Sequence, residues 1–169
     1  MKLASFEAIV RALDEGTVRY LVAGGLAVNA HGYLRFTKDI DVVLSLEQEN
    51  TRRALQALKR LGYRPTVPVE AEEFADAATR ERWIREKNMQ VFQLWSEEHR
   101  ETPIDIFVDE PFDFDEEYER ALVKPLYETI EVRFVSLPAL IRMKEAAGRP
   151  QDEIDIDYLR SRLEDDDQQ

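Results

Sequence analysis

One hexapeptide restricts this chain more than any other segment, Asp39-Ile40-Asp41-Val42-Val43-Leu44. Ile40, Val42 and Leu44 alternate with Asp39, Asp41 and Val43, the pattern of a strand with one covered face. Residues two apart on a strand point the same way, so the two carboxylates leave one face with stems about 6–7 Å apart. Ile104-Asp105-Ile106 repeats the arrangement, with isoleucines toward a core and an acid on the opposite side. If these strands are neighbours, three carboxylates crowd together and repel unless a cation neutralises them. Taken alone, Asp-x-Asp in a strand is more often a solvated polar face, and the pair by itself does not establish a cation site.

The supply of other ligands narrows the choice of cation. There are no cysteines and two histidines, which excludes thiolate sites and leaves little for zinc. Carboxylate oxygens suit magnesium, with manganese as a substitute. The net charge of -12 argues against a nucleic-acid partner, but it is unevenly spread. Residues 109–119 carry seven acids and no base, and residues 152–169 carry eight acids against Arg160 and Arg162. The rest holds 21 basic and 20 acidic residues, a net +1, so an anionic substrate fits away from those two segments.

With 169 residues, 44% hydrophobic, the chain suits one compact domain. The expected layout is a single domain over 1–163 and an acidic, disordered tail over 164–169. No apolar run approaches the roughly 20 residues needed to span a bilayer, and Met1-Lys2-Leu3-Ala4-Ser5-Phe6 lacks a signal-peptide core. A soluble, cytoplasmic protein is expected.

The periodicities alternate between helix and strand. Phe6, Ile9, Val10 and Leu13 predict a helix over 3–15 stopped at Gly16. Strands are predicted at 19–23, 39–44, 89–95, 104–108 and 132–135, and helices at 26–33, 46–61, 137–147 and 151–163. Residues 63–87 read as a loop followed by a charged helical piece near 71–85, and the acidic run 109–119 reads as a solvated loop. This order specifies an α+β domain with a mixed sheet flanked by helices.

Gly24-Gly25 stands after the first strand and before a short helix. Glycines there let the backbone approach a phosphate, although a lone Gly-Gly is more often only a turn. Its position one short helix before the acidic strand makes the combination specific. Tyr20-Leu21-Val22-Ala23-Gly24-Gly25, then Arg35-Phe36-Thr37-Lys38-Asp39-Ile40-Asp41-Val42, then Ile104-Asp105-Ile106 resembles the nucleotidyltransferase superfamily. The Arg-x-Thr-x-Asp-Ile-Asp form and the stretch Leu140 to Asp152 are most similar to its minimal members, which include toxins of bacterial toxin–antitoxin and abortive-infection systems.

That resemblance implies a nucleotidyltransferase-like mixed sheet and a two-metal enzyme moving a nucleoside monophosphate from a nucleoside triphosphate such as ATP to a hydroxyl acceptor. Asp39 and Asp41 would bind both magnesium ions, while Asp105 would bind one and activate the hydroxyl. Gly24 and Gly25 would contact the triphosphate. Arg35 and Thr37 either bind phosphate or cap the strand, and phosphate is preferred. The acceptor would be an RNA end, a protein or a small molecule, and an antitoxin protein is an implied partner. One departure from the family pattern is glycine where serine is commoner at position 25. The alternative reading is an inactive member that binds nucleotide or a partner protein.

Lys144 extends the apolar stripe Leu137, Leu140, Ile141. It therefore turns inward and either snorkels to the surface or meets an anion. The resemblance makes that anion the triphosphate. Asp155-Ile156-Asp157 repeats the acidic tripeptide but falls in a helix, where its aspartates lie about 200° apart and cannot share a metal; it reads as solvated surface. His31 and His99 are isolated, and Trp83, Trp95, Phe107, Phe112 and Phe114 read as packing rather than base stacking.

Overall fold

The computed structural model describes residues 1–127 and 130–167. Its backbone divides into two compact units, one of Met1–Tyr20 with Lys38–Glu110, the other of Leu21–Thr37 with the chain from Pro111 onward.

In the first unit, helix α1 (Leu3–Glu15) buries Phe6, Ile9, Val10 and Leu13, the predicted stripe, and packs against α3 (Gln48–Arg60). The sheet runs β3 (Arg64–Pro65), β4 (Val91–Trp95), β5 (Ile104–Phe107), β2 (Ile40–Leu44). β3/β4 and β4/β5 are antiparallel, and β5/β2 is parallel. Its apolar face is built from Phe92, Leu94, Ile104, Ile106, Ile40 and Val42, all buried. Phe74, in a 3-10 turn at Ala71–Ala75, and Trp83, in α4 (Ala77–Lys87), stack on Phe92 at 4.9 and 5.5 Å. The charged piece of 71–85 thus resolves into a 3-10 turn and a helix capped by Asp76, whose side chain accepts from the Thr79 amide.

In the second unit, β1 (Tyr20–Val22), β7 (Ile130–Phe134) and β6 (Leu122–Tyr127) pair in that order, β1/β7 parallel and β7/β6 antiparallel. Around them lie α2 (Gly24–Ala30), α5 (Phe114–Arg120), α6 (Leu137–Ala147) and α7 (Pro150–Asp167). Among the described residues, seven strands in mixed pairing with seven helices give the expected mixed class. Strands β3 and β6 have no counterpart in the sequence reading, and two helices depart from it. The acidic run contains α5, started by Asp113, whose side chain accepts from the Glu116 amide, and its acids sit in the first turn, where they oppose the helix dipole favourably. Helix α7 continues through Asp167 instead of ending at Leu163, while Gln168 and Gln169 of the expected tail lie outside the described residues.

Candidate active site

β2 and β5 are in register with Asp41 opposite Asp105. Parallel neighbours lie about 4.8 Å apart, so two half-exposed carboxylates stand side by side on the face opposite the isoleucines. The row continues into β4, where Gln93 pairs with Asp105 and donates from Nε2 to Oδ1 at 2.9 Å. Asp39 lies one residue before β2 begins, half-exposed, rather than within the strand. Of the three acids expected to cluster, the register sets Asp41 beside Asp105 on adjacent strands, and Asp39 precedes the paired segment.

Among the described residues, no three acidic or histidine side chains form a ready metal cage. Magnesium does not require one. It dehydrates reluctantly and commonly takes one or two carboxylates, completing its shell with waters and substrate phosphates. Two aligned carboxylates with hard oxygen donors fit a metal that arrives with a nucleotide.

The second unit contains the Gly-Gly turn. Gly24 has φ +58°, in the left-handed region that favours glycine. Gly25 is constrained differently. A Cβ there would lie 2.6 Å from Thr37 Oγ1, 2.8 Å from Thr37 Cβ and 3.3 Å from an Arg35 terminal nitrogen. The buried Thr37 side chain thus fills the space a residue-25 side chain would need, which is the physical reason for glycine where serine is commoner. The segment carrying Arg35 is fixed by Asn29, whose Nδ2 donates to Arg35 O at 3.0 Å and whose Oδ1 accepts from Arg35 N at 2.9 Å. Arg35 and Thr37 thus lie against the Gly24-Gly25 turn.

Lys144 turns inward as its stripe predicts, 6% exposed, and is met by protein carboxylates, Asp152 Oδ1 at 2.8 Å and Asp155 Oδ2 at 2.7 Å. One expectation needs correcting. Asp155 is not solvated surface. It is fully buried and also accepts from Arg35 at 3.0 Å and Gln151 at 3.3 Å, because α7 packs along α6 and turns this position onto Lys144. Asp157 is exposed, so the two aspartates do diverge as a helix requires. The result is a buried network of two cations and two anions. Arg35 keeps further capacity within it, since its Nε is buried with no hydrogen-bond partner.

Both histidines contact other protein groups. His31 Nε2 lies 2.9 Å from Val135 O and His99 Nδ1 2.9 Å from Ser5 Oγ. Trp83 and Phe114 are buried, whereas Trp95 is only half-buried. Glu117, buried in α5, accepts from the backbone N–H and hydroxyl of Ser136, the N-cap of α6. Its signal in the sequence, one acid among seven in the run, does not distinguish it.

A sequence model of the family described as "Nucleotidyl transferase AbiEii toxin, Type IV TA system" matches residues 8–168. No curated protein matches. Among solved structures, the lincomycin-bound lincosamide antibiotic adenylyltransferase LnuA is 18% identical with a TM-score of 0.56, covering 90% of this chain and 92% of its own. ANT(2'')-Ia in complex with adenylyl-2''-tobramycin is 17% identical with a TM-score of 0.52, covering 95% of this chain and 98% of its own. At such identities the likeness shows a shared fold.

Proposed function

The chain belongs to the AbiEii nucleotidyltransferase toxin family and is a nucleotidyltransferase; from that premise we propose that it is magnesium-dependent and uses Asp39, Asp41 and Asp105 as its acid set. The observation that carries this reading is the register pairing of Asp41 with Asp105 on parallel strands, both half-exposed on the open face. Two carboxylates side by side on an open face offer the hard oxygen donors that a divalent cation arriving with a triphosphate takes. Magnesium, when bound, supplies positive charge at the phosphates and to the attacking oxygen.

The reaction forms one ester bond and breaks one anhydride bond. The acceptor hydroxyl oxygen attacks the α-phosphorus, pyrophosphate leaves with the electron pair of the cleaved bond, and Asp105 accepts the hydroxyl proton. Asp39 and Asp41 hold the metal. Gly24 and Gly25 let the backbone approach the triphosphate, with the Thr37 hydroxyl beside them. Arg35, with its unpartnered Nε, adds positive charge for phosphate. Lys144 contributes through Asp155, which it holds together with Arg35; direct contact of its ammonium with phosphate would require Asp152 and Asp155 to release it. The toxin–antitoxin character of the family implies an antitoxin partner, and the adenylyltransferase neighbours make ATP the first donor to test.

Incubation of the purified protein with each α-labelled nucleoside triphosphate, magnesium or manganese, and a cell lysate tests the proposal. Label from the α-phosphate should appear on an acceptor and vanish with chelator. Transfer that persists in chelator removes the metal assignment, and failure of all four triphosphates to label any acceptor removes the activity.

A further inference from the structure

We propose that the open face of β3, β4 and β5, centred on Trp95, is the platform for the acceptor, and that the acceptor carries a flat ring close to its hydroxyl. The proposal rests on the function above, because Asp105 is its reference point. In the strand order β4-β5-β2, Asp105 has Asp41 on one side and Gln93 on the other. If metal and phosphates occupy the Asp41 side, the hydroxyl that gives its proton to Asp105 approaches over Gln93.

The residues there suit a ring-bearing alcohol. Gln93 is exposed, and its Nε2 is engaged by Asp105, which leaves its Oε1 as an acceptor for a second hydroxyl. Trp95 stands two residues along β4 on the same face, diagonal to Asp105 at about 7–8 Å between stems. That diagonal is comparable to the breadth of a nucleoside from base to ribose hydroxyls. Trp95 is half-buried, whereas Trp83 is 2% exposed and stacked into the core. An indole kept at the surface beside a polar row is poorly used as packing.

Arg64 gives the platform its sign. It pairs with Trp95 in register, is exposed, and its guanidinium carbon lies 5.6 Å from the indole centroid. An aromatic ring flanked by a guanidinium favours a flat, electron-rich heterocycle, which stacks on both. A polycationic sugar has no flat face to offer and meets the positive charge of Arg64. A heterocycle bearing vicinal hydroxyls is therefore the acceptor class.

Equilibrium dialysis of tritiated adenosine against the full chain tests this, with magnesium and a saturating non-hydrolysable ATP analogue filling the donor side. Wild type and Trp95→Phe should bind adenosine, and Trp95→Ala should bind it about ten- to a hundredfold more weakly, the range for loss of one base–aromatic stack. Tobramycin, tested as the non-planar polycationic probe, should bind more weakly than adenosine. Equal adenosine binding by Trp95→Ala and wild type overturns the platform; tighter binding of tobramycin, weakened by Trp95→Ala, overturns the flat-ring assignment. Dialysis of labelled ATP with magnesium, without any acceptor, separates this proposal from the function beneath it. No magnesium-dependent ATP binding by wild type removes the proposed function, whereas ATP binding combined with Trp95-independent adenosine binding removes the platform alone.

Discussion

In the unit of β2 to β5, Asp41 and Asp105 stand side by side, half-exposed and of like charge, while in the unit of α6 and α7 the fully buried Asp155 takes salt bridges from both Arg35 and Lys144. The second arrangement is electrically closed: two cations and two anions cancel with contacts of 2.7–3.0 Å, which is what burial of charge demands. The first stands half-exposed on the open face of the sheet, where a substrate and its cation have access. The contrast separates residues that hold the protein together from residues that act on a substrate, and mutation should distinguish them by opposite effects.

The largest effect is expected at the acidic row. Asp41→Asn and Asp105→Asn keep shape and remove charge, so each should lower α-phosphate transfer by about ten-thousandfold, some 5 kcal/mol of barrier. The same variants should keep their stability within about 1 kcal/mol of wild type, because Asn preserves the shape at these half-exposed positions and its Oδ1 can still accept from Gln93 at position 105. Activity assays beside thermal melts check this. A variant that loses both activity and folding places the pair among the structural ions.

The network should behave in reverse. Lys144→Ala leaves Asp152 and Asp155 buried without their ammonium, which should cost about 3–5 kcal/mol of stability in a urea titration. Lys144→Met with Asp155→Leu, which removes charges of both signs, should recover part of that loss. No loss of stability in Lys144→Ala, combined with weaker ATP binding, would return Lys144 to direct phosphate contact.

How far each region could be read in advance follows from the same contrast. The acidic row was legible because a strand has a fixed period of two, and an acid between two apolar β-branched residues, Ile40 and Val42 around Asp41 and Ile104 and Ile106 around Asp105, identifies its face without knowledge of the partner strand. Lys144 was legible as inward-facing from its apolar stripe, but its partners were not. They lie beyond Gly148, whose left-handed backbone at φ +60° ends α6 and lets α7 turn back along it. Nothing in Asp155-Ile156-Asp157 alone shows which aspartate will face a lysine on another helix. Helix α5 was hidden for a different reason. Its seven residues bury only Phe114 and Glu117, and a helix with so small a covered stripe leaves no periodicity within an acidic run.

The smallest expected effect concerns the turn whose glycines admit a phosphate in the proposed function. At Gly25 two explanations compete: backbone conformation, or lack of room. Gly25 is not among the residues with positive φ, so its conformation does not require glycine. Room does, since a Cβ would lie 2.6 Å from Thr37 Oγ1, closer than real contacts allow, and Thr37 is buried and unable to swing away freely. Gly25→Ala should therefore destabilise the protein by about 1–3 kcal/mol, the cost of overpacking. Thr37→Ala removes Oγ1 but keeps Thr37 Cβ at 2.8 Å from the new methyl, so it should relieve only part of the strain in the double variant, whereas Thr37→Gly should relieve most of it. A double-mutant cycle on urea midpoints reads this directly: the Gly25→Ala cost should fall when Thr37 is shortened, with a coupling of about 0.5–3 kcal/mol for residues in contact. Equal costs in both backgrounds would mean that the glycine is required for something other than Thr37. Activity adds a second readout, since Gly25→Ser with Thr37→Gly restores a hydroxyl beside the turn on the other partner. Recovery of transfer in that pair, relative to Gly25→Ala with Thr37→Gly, would show that the site needs a hydroxyl there and accepts it from either residue.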